Sequence, residues 1–181
     1  MKISEIIVIG AAALILCATA GAVTELNIPV TDFAVIAPPG HSEEGLVLLS
    51  FSLPDSFPHG NILRAQLVCN ARPVDEVDSV FEITAAPIGI AWNQQDVHWS
   101  DSWGEGGGNL VDSMFTYAGV VVGENRTRVE ITDMVRAWAA GSRPNYGIVI
   151  KAPNDWRVRF RLELPDPNRQ EIAYIKILMG D

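Results

Sequence analysis

Hydrophobic and polar residues alternate along much of this chain with a period of two, the pattern of half-buried β-strands. The alternation has no break in 157–164, where the valine, the phenylalanine and both leucines are predicted to face inward. In 63–70, alternate residues from Leu63 to Cys69 are predicted to share the buried face. Further strands are predicted at 81–85, 114–122, 146–151 and 173–179.

The segment 45–53 is apolar almost throughout and is interrupted by serines, which is typical of a central strand. Segments rich in proline, glycine, asparagine and aspartate separate the predicted strands. Because the strands are short and no long helical pattern follows any of them, we expect an all-β fold, an antiparallel β-sandwich with one short helix.

That helix is predicted near 132–139, in a segment where apolar residues recur at spacings of four and three from Ile131 to Trp138. Thr132 or Asp133 is expected to cap its first turn, and Gly141 with the proline that follows is expected to end it. Two helical turns are not stable alone, so the helix is expected to pack on one end of the sandwich with Trp138 in the core.

The first 22 residues have the features of a secretory signal peptide. Lys2 precedes an uncharged apolar stretch, and two overlapping Ala-x-Ala patterns follow near residue 20. We therefore expect cleavage, a single domain at 23–181, and a location outside the cell or on its surface. The alternative is an uncleaved membrane anchor, because about 18 apolar residues just span a bilayer.

Charge and cysteine content exclude several classes of protein. The chain has 181 residues, with 13 Lys and Arg against 22 Asp and Glu and a formal net charge of -9. This balance argues against binding to nucleic acid or to anionic lipid. Cys17 lies in the predicted signal peptide, so Cys69 would be the sole thiol of the exported domain. Core packing would hold that domain together, and Cys69 is predicted to be buried and inert.

The chain shows no catalytic motif. Its histidines lack metal-ligand spacing, its serines lack a Gly-x-Ser-x-Gly elbow, and the glycine patch 104–108 lacks the ending of a phosphate loop. We therefore expect no enzymatic activity and no cofactor. A structural calcium ion is the open alternative, because loop carboxylates can supply oxygen ligands. Those carboxylates are Asp75, Glu76, Asp78, Asp101, Glu105, Asp166 and Glu171.

Five tryptophans are many for this length. Trp138 and the two at 92 and 99 lie beside apolar patterns and are expected in the core. Trp103 and Trp156 lie in polar segments, where an indole either stacks on a sugar ring or a partner protein, or is partly buried against the base of a loop. Asn125 begins an N-glycosylation sequon.

One strand face suggests a ligand. Arg157, Arg159 and Arg161 lie opposite the predicted core side of 157–164, with Trp156 at the head of the strand. Guanidinium groups suit carboxylates, including those of uronic acids, so this face is a candidate site for an acidic polysaccharide. The alternative is that the arginines pair with Asp or Glu on neighbouring strands.

Three motifs resemble a known family. The segment 45–54 followed by 62–67 resembles its opening pair of strands, and AWNQQDVHW at 91–99 looks like its Trp-x-Glu-x-x-Val-Thr-Trp motif. VEITDMVRAW at 129–138, followed by 144–151, is similar to its most specific signature. This is the DNRLRE-domain family, which is related to alginate-type carbohydrate-binding modules and to archaeal disaggregatase-related repeats. The resemblance implies a secreted jelly-roll sandwich with a non-catalytic role.

Three functions follow as hypotheses. The first is a module that binds a polysaccharide or a cell-surface glycan, and exposed aromatic residues on one sheet face would favour it. The second is a structural or adhesive surface protein without a free sugar ligand, which a charged, non-aromatic surface would favour. The third is a small secreted polysaccharide lyase or hydrolase, which would need a cleft with convergent Tyr, His and Arg.

Overall fold

The computed structural model describes residues 22–37, 45–54, 57, 61–73, 81–100, 103, 109–111, 114–121, 126–151, 160–162 and 173–180, with the backbone alone at 72–73 and 160–162. The strands are β1 (Val23–Ile36), β2 (Leu46–Phe51), β3 (Ile62–Cys69), β4 (Ala71–Pro73), β5 (Phe81–Pro87), β6 (Thr116–Val120), β7 (Thr127–Glu130), β8 (Ile148–Lys151), β9 (Phe160–Leu162) and β10 (Ala173–Gly180). The helix is α1 (Thr132–Ala139).

The described strands pair antiparallel, which confirms the all-β prediction. Eight of them form one sheet in the order β6-β5-β8-β2-β1-β10-β3-β7, and β4 pairs with β9. The two edge strands, β6 and β7, lie next to each other, so the sheet is nearly closed. No helix among these residues is long and apolar enough to cross a membrane. The predicted signal peptide lies almost wholly outside the described residues.

Strand β1 belongs to both halves of this sheet. Its first seven residues pair with β10 and its later residues pair with β2, with an irregularity between Val30 and Asp32. A bulge of this kind bends a strand and increases its twist. The strand therefore joins a four-stranded half (β1, β10, β3, β7) to a five-stranded half (β6, β5, β8, β2, β1).

Alternating side chains of both halves meet in an inner core. In β10, Ala173, Ile175 and Ile177 are buried and the residues between them are half-buried, as the period of two predicts. β2 is central, as its continuous apolar run predicts, and it has hydrophobic neighbours on both faces. Val47 belongs to the inner core, whereas Leu48 belongs to a second apolar cluster.

The prediction that Leu63 faces inward is wrong, because β3 contains a bulge. Arg64 pairs with Leu178 and Ile62 pairs with Met179, so Leu63 is an extra residue on β3. Its side chain is 48% exposed, and Ile62 is buried in its place. The insertion of one residue reverses the alternation at that point.

Helix α1 packs against β3, and its N-terminal cap differs from the expectation. Ile131 is the N-cap residue, and no side chain makes a capping hydrogen bond. The Thr132 hydroxyl instead accepts the backbone N–H of Ala65 at 2.7 Å. The Arg136 guanidinium donates to the carbonyl oxygen of Ile62 at 2.7 Å. These two bonds hold both ends of the helix to β3.

The helix ends at glycine as predicted. Gly141 has φ of 65°. Its N–H donates to the Trp138 carbonyl at 3.0 Å, and the N–H of Ser142 donates to the Ala137 carbonyl at 3.1 Å. These are the paired bonds of a Schellman motif. Trp138 is buried in the inner core, so its predicted packing role is confirmed.

Cys69 is a free, buried cysteine, and burial raises the pKa of its thiol to about 12. We expect a Cys17→Ser variant, which leaves Cys69 as the sole cysteine, to react with a thiol reagent at pH 8 at least about 100-fold more slowly when native than in denaturant, because the thiolate is the reactive form. Stopped-flow absorbance would measure both rates. Rapid stoichiometric labelling of the native protein would contradict the inward orientation of Cys69.

Candidate functional site

The outer side of the five-stranded half is partly covered by the described residues of the segment between β5 and β6. Its tryptophans pack there on alternate residues of β2, β5 and β8 in the second apolar cluster. The indole N–H of Trp92 donates to the carbonyl oxygen of Tyr146 at 2.7 Å and ties this segment to the start of β8. This part of the sheet is therefore buried on both faces.

Trp103 belongs to that covering layer. It is 4% exposed, so of the two alternatives for this residue the structure shows burial. In this arrangement the indole offers almost no surface to a sugar ring. Trp99 and Trp92 are half-buried in the same cluster, in agreement with their predicted packing role.

Of the other site residues predicted from sequence, the structure describes only Arg161. Trp156, Arg157, Arg159 and the sequon residue Asn125 lie outside the described residues, so their roles stay predictions. Arg161 lies in β9, where its cross-strand partner is Arg72 of β4. The residue directly opposite Arg161 on β4 is therefore a second arginine.

Next to the covered region the same outer side carries an exposed tyrosine. Tyr117 is 62% exposed. It is the cross-strand partner of Thr84, which is in turn the partner of Lys151. Directly opposed residues share a face of a sheet, so these three form a row across β6, β5 and β8. The row lies on the outer face, because Ala86, two residues from Thr84, belongs to the second apolar cluster.

A hydrogen bond and a cation–π contact hold residues of this row in place. Thr84 is 4% exposed, and its hydroxyl donates to the carbonyl oxygen of Lys151 at 3.2 Å. The Lys151 ammonium lies 5.1 Å from the centre of the Phe115 ring, within the range of a cation–π contact. Phe115 precedes Tyr117 by two residues, so both rings lie on the same side of the chain.

Glu82 also lies on this side, two residues before Thr84 in β5, and is exposed. We call Tyr117, Phe115, Thr84, Lys151 and Glu82 the Tyr117 face. Among the described residues no carboxylate forms an ion pair with Lys151.

On the outer side of the four-stranded half, the cationic side chains form ion pairs with carboxylates. Lys176 pairs with Glu25 at 2.6 Å, and Arg64 pairs with Glu130 at 2.8 Å. The hydrogen bond from Lys176 lowers the pKa of the Glu25 carboxyl. The protein's own groups compensate these cations, whereas the Lys151 ammonium is held against a ring.

The Tyr117 face presents a flat aromatic ring, an ammonium donor and a carboxylate acceptor on a hydrogen-bonded sheet. Such a surface can stack on a sugar ring and bind its polar substituents. No three His, Cys, Asp or Glu residues in the described part of the chain converge as metal ligands. The carboxylates considered for calcium all lie outside that part.

Tyr117 is not among the ligand residues predicted from sequence, although the sequence contains a signal for it. Phe115, Tyr117 and Val121 alternate with the buried or half-buried Ala118 and Val120 in the predicted strand. Two aromatic residues on the non-core side of a strand indicate a possible binding surface. Lys151 and Thr84 could not be assigned to that surface, because they are distant in sequence and only strand order makes them neighbours.

A scan against protein families gives no match for this chain, and a search of curated proteins finds no similar sequence.

Proposed function

We propose that this protein is a non-catalytic, secreted or cell-surface module that binds carbohydrate through the Tyr117 face. The observation on which this rests is the 62% exposure of Tyr117 on the face of a sheet, beside Phe115 and Lys151. An aromatic ring on a sheet face was the feature expected of a carbohydrate-binding module. The apolar N-terminal stretch supports export.

The local structure suits recognition of a rigid, weakly hydrophobic ligand. Tyr117 lies on a strand that pairs with β5 over five residues, so its backbone is held in place before a ligand arrives. Preorganisation of this kind reduces the entropy lost on binding. Tyrosine also supplies a large contact area with few rotatable bonds.

We further propose that the fold is a two-layer jelly-roll sandwich of the kind found in the DNRLRE-domain family. Support comes from β1, which pairs with β10 in one half and with β2 in the other. Residues of both halves also contribute to a shared inner core, as the two layers of a sandwich do.

The matching experiment is a glycan array followed by affinity electrophoresis in gels that contain alginate or pectate. We expect Tyr117→Ala to weaken retardation by the bound glycan about tenfold, because an aromatic anchor of this size contributes roughly 1.4 kcal/mol or more. Tyr117→Phe keeps the ring and should keep most of the binding. Melting temperatures of both variants would show that the fold is retained.

A Trp156→Ala plus Arg159→Ala variant tests the face predicted from sequence. Loss of binding in this variant, with full binding in Tyr117→Ala, would move the site to the arginine strand and overturn the Tyr117 assignment. If no glycan binds the wild-type protein, carbohydrate recognition is wrong and a structural or adhesive role is favoured.

A further inference from the structure

We infer that the free edge of β6 is an interface between two copies of this chain, which pair there as antiparallel strands and form a dimer. Such a dimer is independent of carbohydrate recognition.

Strand β6 has a hydrogen-bonding partner on one side only. In the part of the chain that the structure describes, β6 pairs with β5 over five residues and with no other strand. β7 lies close to β6, but among the described residues no backbone hydrogen bond joins the two strands. Alternate residues of an edge strand direct their N–H and C=O groups away from the sheet, where a further strand can bind them.

The sequence of β6 lacks the features that protect an edge strand. Charged side chains and prolines oppose pairing with another chain, and segments without them favour it. The segment 114–123 contains neither, although the chain as a whole has a net charge of -9. The other edge strand, β7, carries the exposed Arg128 and Glu130. Of the two edges, β6 is therefore the one suited to self-association.

The side chains of β6 complement a second copy in one register. Tyr117 and Gly119 are both exposed and lie on the outer face. In an antiparallel pair centred on Ala118, Tyr117 of each copy lies opposite Gly119 of the other copy. A glycine leaves the backbone of an edge strand uncovered, and an aromatic side chain on the neighbouring strand covers it. Tyr117, which is 62% exposed in one copy, gains that contact in the dimer.

Pairing of this kind closes at two copies. Both copies use the same strand, so a two-fold axis relates them and neither retains a free β6 edge. No charged residue of β6 is opposed by its own copy, because the strand has none. The strand is only five residues long, so the interface is small and a dissociation constant on the order of 10 to 100 μM is expected.

The dimer would present two Tyr117 faces on one side of a continuous sheet, because the two-fold axis of an antiparallel strand pair is perpendicular to the sheet. One flat side of each ring covers the glycine, and the other remains open to a ligand. A polymer of repeated sugars would then be bound at two points, which raises its apparent affinity. This consequence alone rests on the proposed function.

Sedimentation velocity of the full chain over about a hundredfold range of concentration tests the dimer. We expect the wild type to change from monomer to dimer as concentration rises. Gly119→Lys should raise the dissociation constant at least about tenfold, because it places a charge on the edge strand opposite Tyr117 of the other copy. Gly119 does not have a positive φ, so its backbone accepts a side chain.

Leu63→Lys is the matched control. It adds the same charge at an exposed position of β3, in the other half of the sheet, and should leave the dissociation constant within about twofold of the wild-type value. Melting temperatures would show that both variants keep the fold. A wild type that stays monomeric at every concentration would overturn the inference. Equal weakening in the two lysine variants would do the same, because it would show a bulk effect of charge.

Cysteine cross-linking in a Cys17→Ser background tests the register. Directly opposed residues of antiparallel strands have Cα atoms about 5 Å apart, within the range of a disulfide. Ala118→Cys is therefore expected to give a disulfide-linked dimer on air oxidation. In the same register the two copies of Thr116 are four residues out of alignment, about 13 Å apart, so Thr116→Cys should remain monomeric on a non-reducing gel. Equal cross-linking of the two variants, or none in either, would overturn the β6 pairing.

Discussion

Replacing Gly147 with alanine is expected to lower the free energy of unfolding by about 4 kcal/mol, among the largest effects of a single substitution. Gly147 has φ of 98°, a conformation that a side chain rarely adopts. A Cβ atom there would lie 2.1 Å from the carbonyl oxygen of Leu49. Leu49 is fully buried in β2 and pairs with Ile148, so its backbone cannot withdraw without breaking the pairing of β2 with β8.

Gly141→Ala is the control for this prediction. Gly141 also has a positive φ, 65°, but among the described residues no atom beyond its own local backbone lies within 4 Å of the position its Cβ would take. That substitution should cost about 1 kcal/mol, from backbone strain alone. Urea unfolding followed by tryptophan fluorescence would measure both variants. Similar losses for the two would mean that the close approach of Gly147 to β2 does not determine its identity.

Removal of the Trp138 indole should have a comparable effect. Trp138 is 7% exposed and lies in the inner core, and α1, the helix that carries it, packs against β3. Trp138→Ala is expected to destabilise the fold by about 3 to 5 kcal/mol, through lost apolar contact and the cavity left behind. Differential scanning calorimetry, with circular dichroism for the fold, would measure the change.

Trp138→Phe tests whether the loss of stability depends on the space that the side chain fills. Phenylalanine fills part of the space, so this variant should lose clearly less stability than Trp138→Ala. An unchanged melting temperature in Trp138→Ala would show that the indole does not support the core, and the packing of α1 on β3 would then need another explanation.

The period-two alternation of the chain determined most of the strands. In β10 the buried positions follow from which residues are apolar, because a strand with one buried face must place its apolar side chains there. The helix at Thr132–Ala139 and its end at Gly141 were also predictable, because helical spacing and a glycine that accepts a positive φ are local properties.

Other features depended on contacts between distant segments. Leu63 is exposed because the pairing of β3 with β10 contains an extra residue, which no pattern within β3 reveals. The Thr132 hydroxyl binds the N–H of Ala65 because α1 lies against β3, and this contact replaces the expected cap. Trp103 is buried because it packs in the second apolar cluster with residues of β1, β2 and β8, which are distant from it in sequence.

The Tyr117 face combines a feature that local sequence predicts with features that depend on contacts between distant segments. The alternation of hydrophobic and polar residues predicted an all-β chain with a strand at 114–122, but it did not assign Tyr117 to a binding surface. Strand pairing places Thr84 and Lys151 in one row with Tyr117, because β5 pairs with β6 on one side and with β8 on the other. Strand order depends on the joint burial of apolar faces from the whole chain, and no local pattern of residues contains it.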